Sequence, residues 1–181
     1  MKVERASIAD VLIIEPRLFG DARGFFMETW NARSFEQLGI KAQFVQDNHS
    51  RSAKNVLRGL HYQLRQPQGK LVRVTAGEIW DVAVDLRRSS PSFGRWTATR
   101  LSADAARMLW IPPGFAHGFL VLSDSADVLY KTTDFYAPEH ERTLLWNDPE
   151  LAIAWPAAGI APLLSDKDRR GTPLAQAETF A

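Results

Sequence analysis

The chain contains no cysteine, which rules out disulfides, thiolate metal sites and a cysteine nucleophile. It has no excess of one charge: 22 basic residues stand against 21 acidic ones, a formal net charge of +1. Broad nucleic-acid binding needs a basic face that neutralises several phosphates, so this balance argues against it. A local basic pocket stays open, because net charge says nothing of distribution. No apolar run approaches the length of a membrane span. The opening MKVERASIAD lacks the apolar core of a signal peptide. The cytoplasm is therefore the expected location, with no membrane partner. Repeats, low-complexity tracts and linkers are missing too, so one domain over residues 1–181 is expected, with a mobile tail from about 171.

What is present points to an all-β chain. Residues 11–16, 24–30, 70–76, 78–86, 96–101, 107–111, 118–122 and 128–133 read as strands, with 70–76 and 78–86 joined as a hairpin at Gly77. One fair helix spans 31–38, where Asn31 is placed as a cap and Gly39 as a stop. Many short strands without interleaved helices indicate a sandwich or barrel. Six tryptophans and ten phenylalanines suit a filled β core or aromatic pocket walls equally.

The segment 46–74 sets His49, Arg58, His61, Lys70 and Arg73 into alternating, strand-like sequence with few acids nearby. A strand buried on one face normally keeps charge off that face. The cations therefore suggest a pocket for an anion, and His61 adds a group that exchanges protons near neutral pH. Further along, Pro112-Pro113-Gly114-Phe115-Ala116-His117 fits the second signature of cupin barrels, Pro-x-Gly-x-x-His. The first signature is only half present: Tyr62 and Gln63 follow His61 where a second histidine and then a glutamate are needed. Two ligands fall short of a tight metal site, so a cupin-like barrel without a required metal is expected. Taken singly, His61 reads as a backbone-bonded histidine, Lys70 as a strand-end lysine and Tyr130 as barrel lining. Arg23, Glu28, Gln46 and Asn48 read as surface or turn residues.

Taken together, these stretches resemble the dTDP-4-dehydrorhamnose 3,5-epimerase family. The resemblance rests on Asp21–Glu28 (DARGFFME), Gln46–Ser50 (QDNHS), Val56–Gln63 (VLRGLHYQ), Gln68–Val74 (QGKLVRV), Asp81–Arg87 (DVAVDLR) and Ser90–Gly94 (SPSFG). It continues through Ile111–Phe119 (IPPGFAHGF), Tyr130-Lys131, Trp146–Pro149 (WNDP) and Ser165–Asp168 (SDKD), so it covers the chain from about 11 to 168. It implies a cupin-type jelly-roll barrel with a few short helices, acting as a homodimer without metal or other cofactor. The substrate would be a dTDP-linked 4-keto-6-deoxy sugar, inverted at the carbons on both sides of the ketone. Carried over by motif, His61 would be the base, Asp168 its carboxylate partner, Tyr130 the acid on the opposite face and Lys70 the cation at the keto oxygen. Arg23, Glu28, Gln46, Asn48, Arg58, His117, Glu141 and Lys167 would line the nucleotide and sugar site. Phe19 and Phe26 would meet the thymine across the dimer.

The chemistry is coherent with those residues. A proton next to a ketone is removed only if the enolate is stabilised, which a cation near oxygen does. A base with a pKa near ambient takes the proton. Inversion requires return of a proton from the other face, so a second group is needed, and a phenol is protonated at neutral pH. Three alternatives stay open: a single-carbon epimerase with the same motifs, a metal-dependent cupin with His61 and His117 as ligands, and a sugar-nucleotide binding protein without catalysis.

Overall fold

The computed structural model describes residues 1–156, 159 and 161–181. Its strands, numbered in chain order, are β1 (Lys2–Arg5), β2 (Leu12–Glu15), β3 (Leu18–Asp21), β4 (Gly24–Met27), β5 (Gln46–Ala53), β6 (Leu57–Gln63) and β7 (Lys70–Ala76). They continue as β8 (Glu78–Asp85), β9 (Trp96–Ser102), β10 (Met108–Ile111), β11 (Phe115–Val121), β12 (Ser125–Thr132) and β13 (Glu141–Thr143). Two short helices, α1 (Ala32–Gln37) and α2 (Asp166–Arg169), complete the regular structure with two 3-10 turns. No helix of the described residues is long and apolar enough to cross a membrane.

A six-stranded sheet, ordered β1-β2-β10-β7-β12-β5, packs on a five-stranded sheet ordered β13-β6-β11-β8-β9. All strand pairs are antiparallel. This is the jelly roll expected from the motifs, but the hairpin expected at Gly77 does not form: the chain turns there from one sheet to the other, so β7 pairs with β10 and β12 while β8 pairs with β11 and β9. Alternation explains the layering. Val72, Val74, Leu109 and Val128 from the first sheet meet Ile79, Leu101, Phe119 and Val121 from the second in one buried cluster. The intervening residues face outward and are covered in turn. Ile14, Leu71, Met108 and Trp110 pack under Phe35 of α1. Leu60, Tyr62, Val82 and Val84 pack under Leu151, Leu174 and Ala177 from the C-terminal segment.

The expected tail from Gly171 is instead fastened to the barrel, because those apolar residues close the outer face of the five-stranded sheet. Leu145 donates to the Thr172 carbonyl at 2.9 Å and Phe180 donates to Leu86 at 3.0 Å. The Phe180 ring meets Tyr62 with centroids 6.1 Å apart. Helix α1 starts where expected: the Asn31 side chain accepts from Arg33 and Ser34, and Gly39 leaves the helix at φ +83°. The strand expected over 24–30 ends at Met27 and pairs only with β3, which the pattern had not disclosed. These two form a separate hairpin whose Leu18, Phe19, Phe25 and Phe26 are exposed.

Candidate active site

The strands that fill the barrel at one end line a cavity at the other. On β12 the inward series runs Ala126, Val128, Tyr130; on β7 it runs Val74, Val72, Lys70; on β11 it runs Val121, Phe119, His117. In each case the parity that buries apolar residues in the core carries a polar one into a cavity of about 360 Å³. Strand β5 contributes Gln46, Asn48 and Ser50 by the same rule. Strand β6 breaks it. Its register against β11 shifts between His61–His117 and Arg58–Phe119, a β-bulge, so Arg58 and His61 both face the cavity despite their odd spacing. Glycines permit the close approach. A Cβ on Gly118 would stand 2.6 Å from the Arg58 carbonyl oxygen, and Gly59 has φ +129°.

His61 and Tyr130 therefore enter one cavity from opposite sheets. Behind His61 lies Asp168, 3% exposed, whose Oδ1 accepts from His61 Nε2 at 2.6 Å. That bond commits Nε2 as the donor, which leaves Nδ1 as the basic nitrogen. Burial pushes the His61 pKa down; the Asp168 carboxylate opposes this, while Lys167 and Lys70 reinforce it, and the net shift is below the ordinary value of 6.5. The imidazole is thus neutral at pH 7 and able to accept a proton. Burial pushes Asp168 upward, but hydrogen bonds from His61, Ser165 and the Gly59 amide outweigh it and keep the carboxyl below its ordinary value.

Lys70 is 7% exposed, and its Nζ donates to the His61 carbonyl at 3.3 Å. Burial lowers its pKa to about 8, against the pull of Asp81 and Glu141. Burial raises the Tyr130 phenol, with Glu141 in the same direction and Arg58 and Lys167 against. It remains protonated at neutral pH. Among the described residues neither Arg58 nor Lys70 forms a salt bridge with a carboxylate; Arg58 Nε donates to Ser52 Oγ at 2.9 Å. Lys70 is buried and Arg58 is exposed at the cavity wall; two cations without a paired carboxylate suit an anionic ligand. At the mouth, Lys167 donates to Glu141 at 2.9 Å and the Tyr136 hydroxyl donates to the other Glu141 oxygen at 3.1 Å.

A family model described as dTDP-4-dehydrorhamnose 3,5-epimerase matches residues 5–176. The chain belongs to the dTDP-4-dehydrorhamnose 3,5-epimerase family. It is 64% identical over 181 residues to the dTDP-4-dehydrorhamnose 3,5-epimerase of Pseudomonas aeruginosa, covering 99% of both chains. Its structure is similar to that of the Legionella pneumophila dTDP-6-deoxy-D-glucose-3,5-epimerase in complex with dTDP-4-keto-L-rhamnose. The TM-score is 0.95 at 52% identity, over 98% of this chain and 94% of that one. A 3'-monoepimerase from Streptomyces bikiniensis, solved with dTDP-quinovose, shares the fold at TM-score 0.88 and 35% identity, over 94% of this chain and 87% of that one.

Of the residues that the epimerase-family resemblance singles out, Gln46, Asn48, Arg58, His61, Lys70, His117, Tyr130, Glu141 and Lys167 all line the cavity, with Asp168 directly behind. Phe19, Arg23, Phe26 and Glu28 do not line it. Phe19 and Phe26 sit on the β3–β4 hairpin with ring centroids 6.5 Å apart, and Arg23 at its tip is held by Asp21. Glu28 accepts from Asn31 Nδ2 at 3.1 Å beside α1. Two cations of the 46–74 segment also stay out. His49 and Arg73 have outward parity, and His49 bonds Asp127 at 2.9 Å. His117, proposed above as a metal ligand in one alternative, bonds both oxygens of fully buried Asp81 at 2.9 Å. Among the described residues no three His, Asp or Glu side chains are grouped to hold a metal ion.

Sequence reasoning passed over Asp81, Ser50, Gln63 and Ser165. Asp81 lay in a matched motif, and the alternation of β8 aims it inward with Ile79 and Ala83. Ser50 follows from parity with Asn48; its buried hydroxyl has no partner among the described residues. Gln63 secures the loop over the cavity, donating to the Gln66 and Phe135 carbonyls and accepting from the Ala137 amide at 2.9 Å.

Proposed function

We propose that the chain converts dTDP-4-dehydro-6-deoxy-D-glucose to dTDP-4-dehydro-L-rhamnose by inverting C3 and C5, without metal or cofactor, in the cytoplasm. The observation that carries the reading is a carboxylate-backed neutral histidine facing a protonated tyrosine across one cavity, with a buried lysine between the sheets. His61 takes the proton next to the ketone through Nδ1, and Asp168 stabilises the imidazolium that forms. Lys70 offsets the charge that develops on the keto oxygen. Tyr130 returns a proton from the opposite face, and inversion results because donor and acceptor stand on different sheets. Arg58 and Lys167 serve the diphosphate, and Gln46, Asn48, His117 and Glu141 hold the sugar and nucleotide.

The working unit in this reading is a homodimer. A hairpin with Phe19 at 51% and Phe26 at 69% exposure is costly for an isolated monomer. Its aromatics, with Arg23 and Glu28, complete the partner's nucleotide site. Phe26→Ser should then raise KM about tenfold, the equivalent of one lost base–aromatic stack, with kcat kept; an unchanged KM would remove the hairpin from the site.

Proton NMR of the substrate in D2O with chelator-treated protein tests the whole proposal. Deuterium entering at both C3 and C5 supports it. Exchange at one carbon would favour the second reading, a single-carbon epimerase, which the similarity to the Streptomyces bikiniensis 3'-monoepimerase keeps in view. No exchange at either position, with tight nucleotide binding, would leave a binding protein.

A further inference from the structure

A third side chain bonds the Asp168 carboxylate that backs His61. Asp168 has two oxygens with different duties. Oδ1 takes the His61 ring at 2.6 Å and the Gly59 amide at 3.4 Å, while Oδ2 accepts from Ser165 Oγ at 2.7 Å. Ser165 in turn accepts from the Asp168 amide at 3.2 Å as the N-cap of α2. The two residues are thus locked by reciprocal bonds across one turn. Without the bond to Oδ2 the carboxylate is held through Oδ1 alone, by the His61 ring and the long Gly59 contact, and its plane is less constrained. Ser165 does not line the substrate cavity; it lines an adjoining groove with Leu163 and Leu164, which shares Arg58, His61 and Lys167 with that cavity.

We infer that Ser165 is a positioning residue for the proton transfer: its hydroxyl holds the plane of the Asp168 carboxylate so that Oδ1 stays in hydrogen-bond geometry with His61 Nε2. The inference rests on the reading of His61 as the base. Because Ser165 stands outside the substrate cavity, its loss acts on kcat and leaves KM in place. It also has a direction in pH. A carboxylate deprived of one donor binds its remaining donor more strongly, which raises the basicity of the imidazole. Lys70 on β7, His117 on β11, Tyr130 on β12 and Glu141 on β13 face His61 from other elements, and Lys167 faces it from α2, the helix that Ser165 caps.

The experiment compares Ser165→Ala, Ser165→Thr and Asp168→Asn by kcat, KM, the pH profile of kcat/KM and the melting temperature. Ser165→Ala should lower kcat about tenfold, the equivalent of one hydrogen bond to a charged group. KM should stay within about twofold, and the acid limb should move up by about half a pH unit. Ser165→Thr should restore both values, since it keeps the hydroxyl at an exposed position. If Ser165→Ala keeps the wild-type kcat and acid limb and shows only a lower melting temperature, Ser165 is a helix cap and the inference fails. If Asp168→Asn retains full activity, it is the base assignment itself that fails.

Discussion

Replacing Lys70 with methionine should make the protein more stable and nearly inactive. The ammonium is 7% exposed, and burial brings its pKa from 10.5 to about 8. At about 1.4 kcal/mol per pH unit, holding that charge indoors costs the fold roughly 3 kcal/mol at neutral pH. Methionine keeps most of the stem and removes the charge. The carboxylates that attract Lys70 are not orphaned by the change, because Asp81 keeps His117 and Glu141 keeps Lys167. One hydrogen bond, to the His61 carbonyl, is lost. The net expectation is a gain of about 1–3 kcal/mol, or roughly 3–10 °C in Tm.

The sign with pH is fixed by the same shift. The unfolded lysine holds its proton to about 10.5 and the folded one releases it near 8. Between these values the unfolded state binds more protons, so wild-type stability rises with pH. The advantage of Lys70→Met should be full below pH 8 and disappear by about pH 10.5. Activity should move the other way. Without a cation near the developing enolate, kcat should fall about 10²–10³-fold, the usual loss for one preorganised charge-stabilising donor. Thermal denaturation at several pH values, with turnover at pH 7, tests both halves. A variant no more stable than wild type at pH 7 would show that the buried charge of Lys70 does not cost the fold, and one whose kcat is within a few fold would show that Lys70 does not stabilise the developing enolate.

Tyr130→Phe should reduce inverted product about 10²-fold while solvent exchange next to the ketone continues, because His61 still removes the proton and returns it to the same face; equal loss of both, read by NMR in D2O, would deny Tyr130 the acid's role. The acid limb of kcat/KM should lie below pH 6.5, because burial and the nearby lysines hold His61 under its ordinary value; a limb above 6.5 would mean that the proton acceptor is another group. Gly118→Ala should lower stability by about 2 kcal/mol or more, since its Cβ would stand 2.6 Å from the Arg58 carbonyl and 3.0 Å from Gly59 Cα, both backbone; an unchanged melting temperature would show that the two strands can part there without cost.

Much of the barrel was legible because its strands alternate. Once residues 70–76 and 128–133 are strands with Val72, Val74 and Val128 inside, Lys70 and Tyr130 must share that side, whatever else is known. The same rule sends Arg73 and His49 outward, so the charge of segment 46–74 is divided between two faces and only part of it reaches the cavity. Strand β3, and with it the pairing to the expected β4, has no sequence signal because it buries nothing within its own chain, and hydrophobic patterning reports burial. The tail from about 171 reads as mobile because it has almost no periodic structure. Its hold on the barrel comes from single side chains, Leu174, Ala177 and Phe180, that fit an apolar face laid down by β6 and β8.

The pairing at the base of the site could not be read at all. His61 and Asp168 are 107 residues apart, and Asp168 comes from a four-residue helix with no apolar pattern to announce it. The signal that does exist is local: a serine three residues before an aspartate caps its own helix and at the same time fixes that aspartate's side chain. Such a motif cannot say what the second carboxylate oxygen will face. The bulge at Gly59 supplies that half, turning His61 toward the cavity and presenting the Gly59 amide to the same oxygen. Site geometry here arises where two local irregularities meet, a helix cap on one segment and a strand bulge on another. Neither alternation nor propensity predicts that meeting, which is why the roles of single residues had to come from resemblance while the shape of the barrel did not.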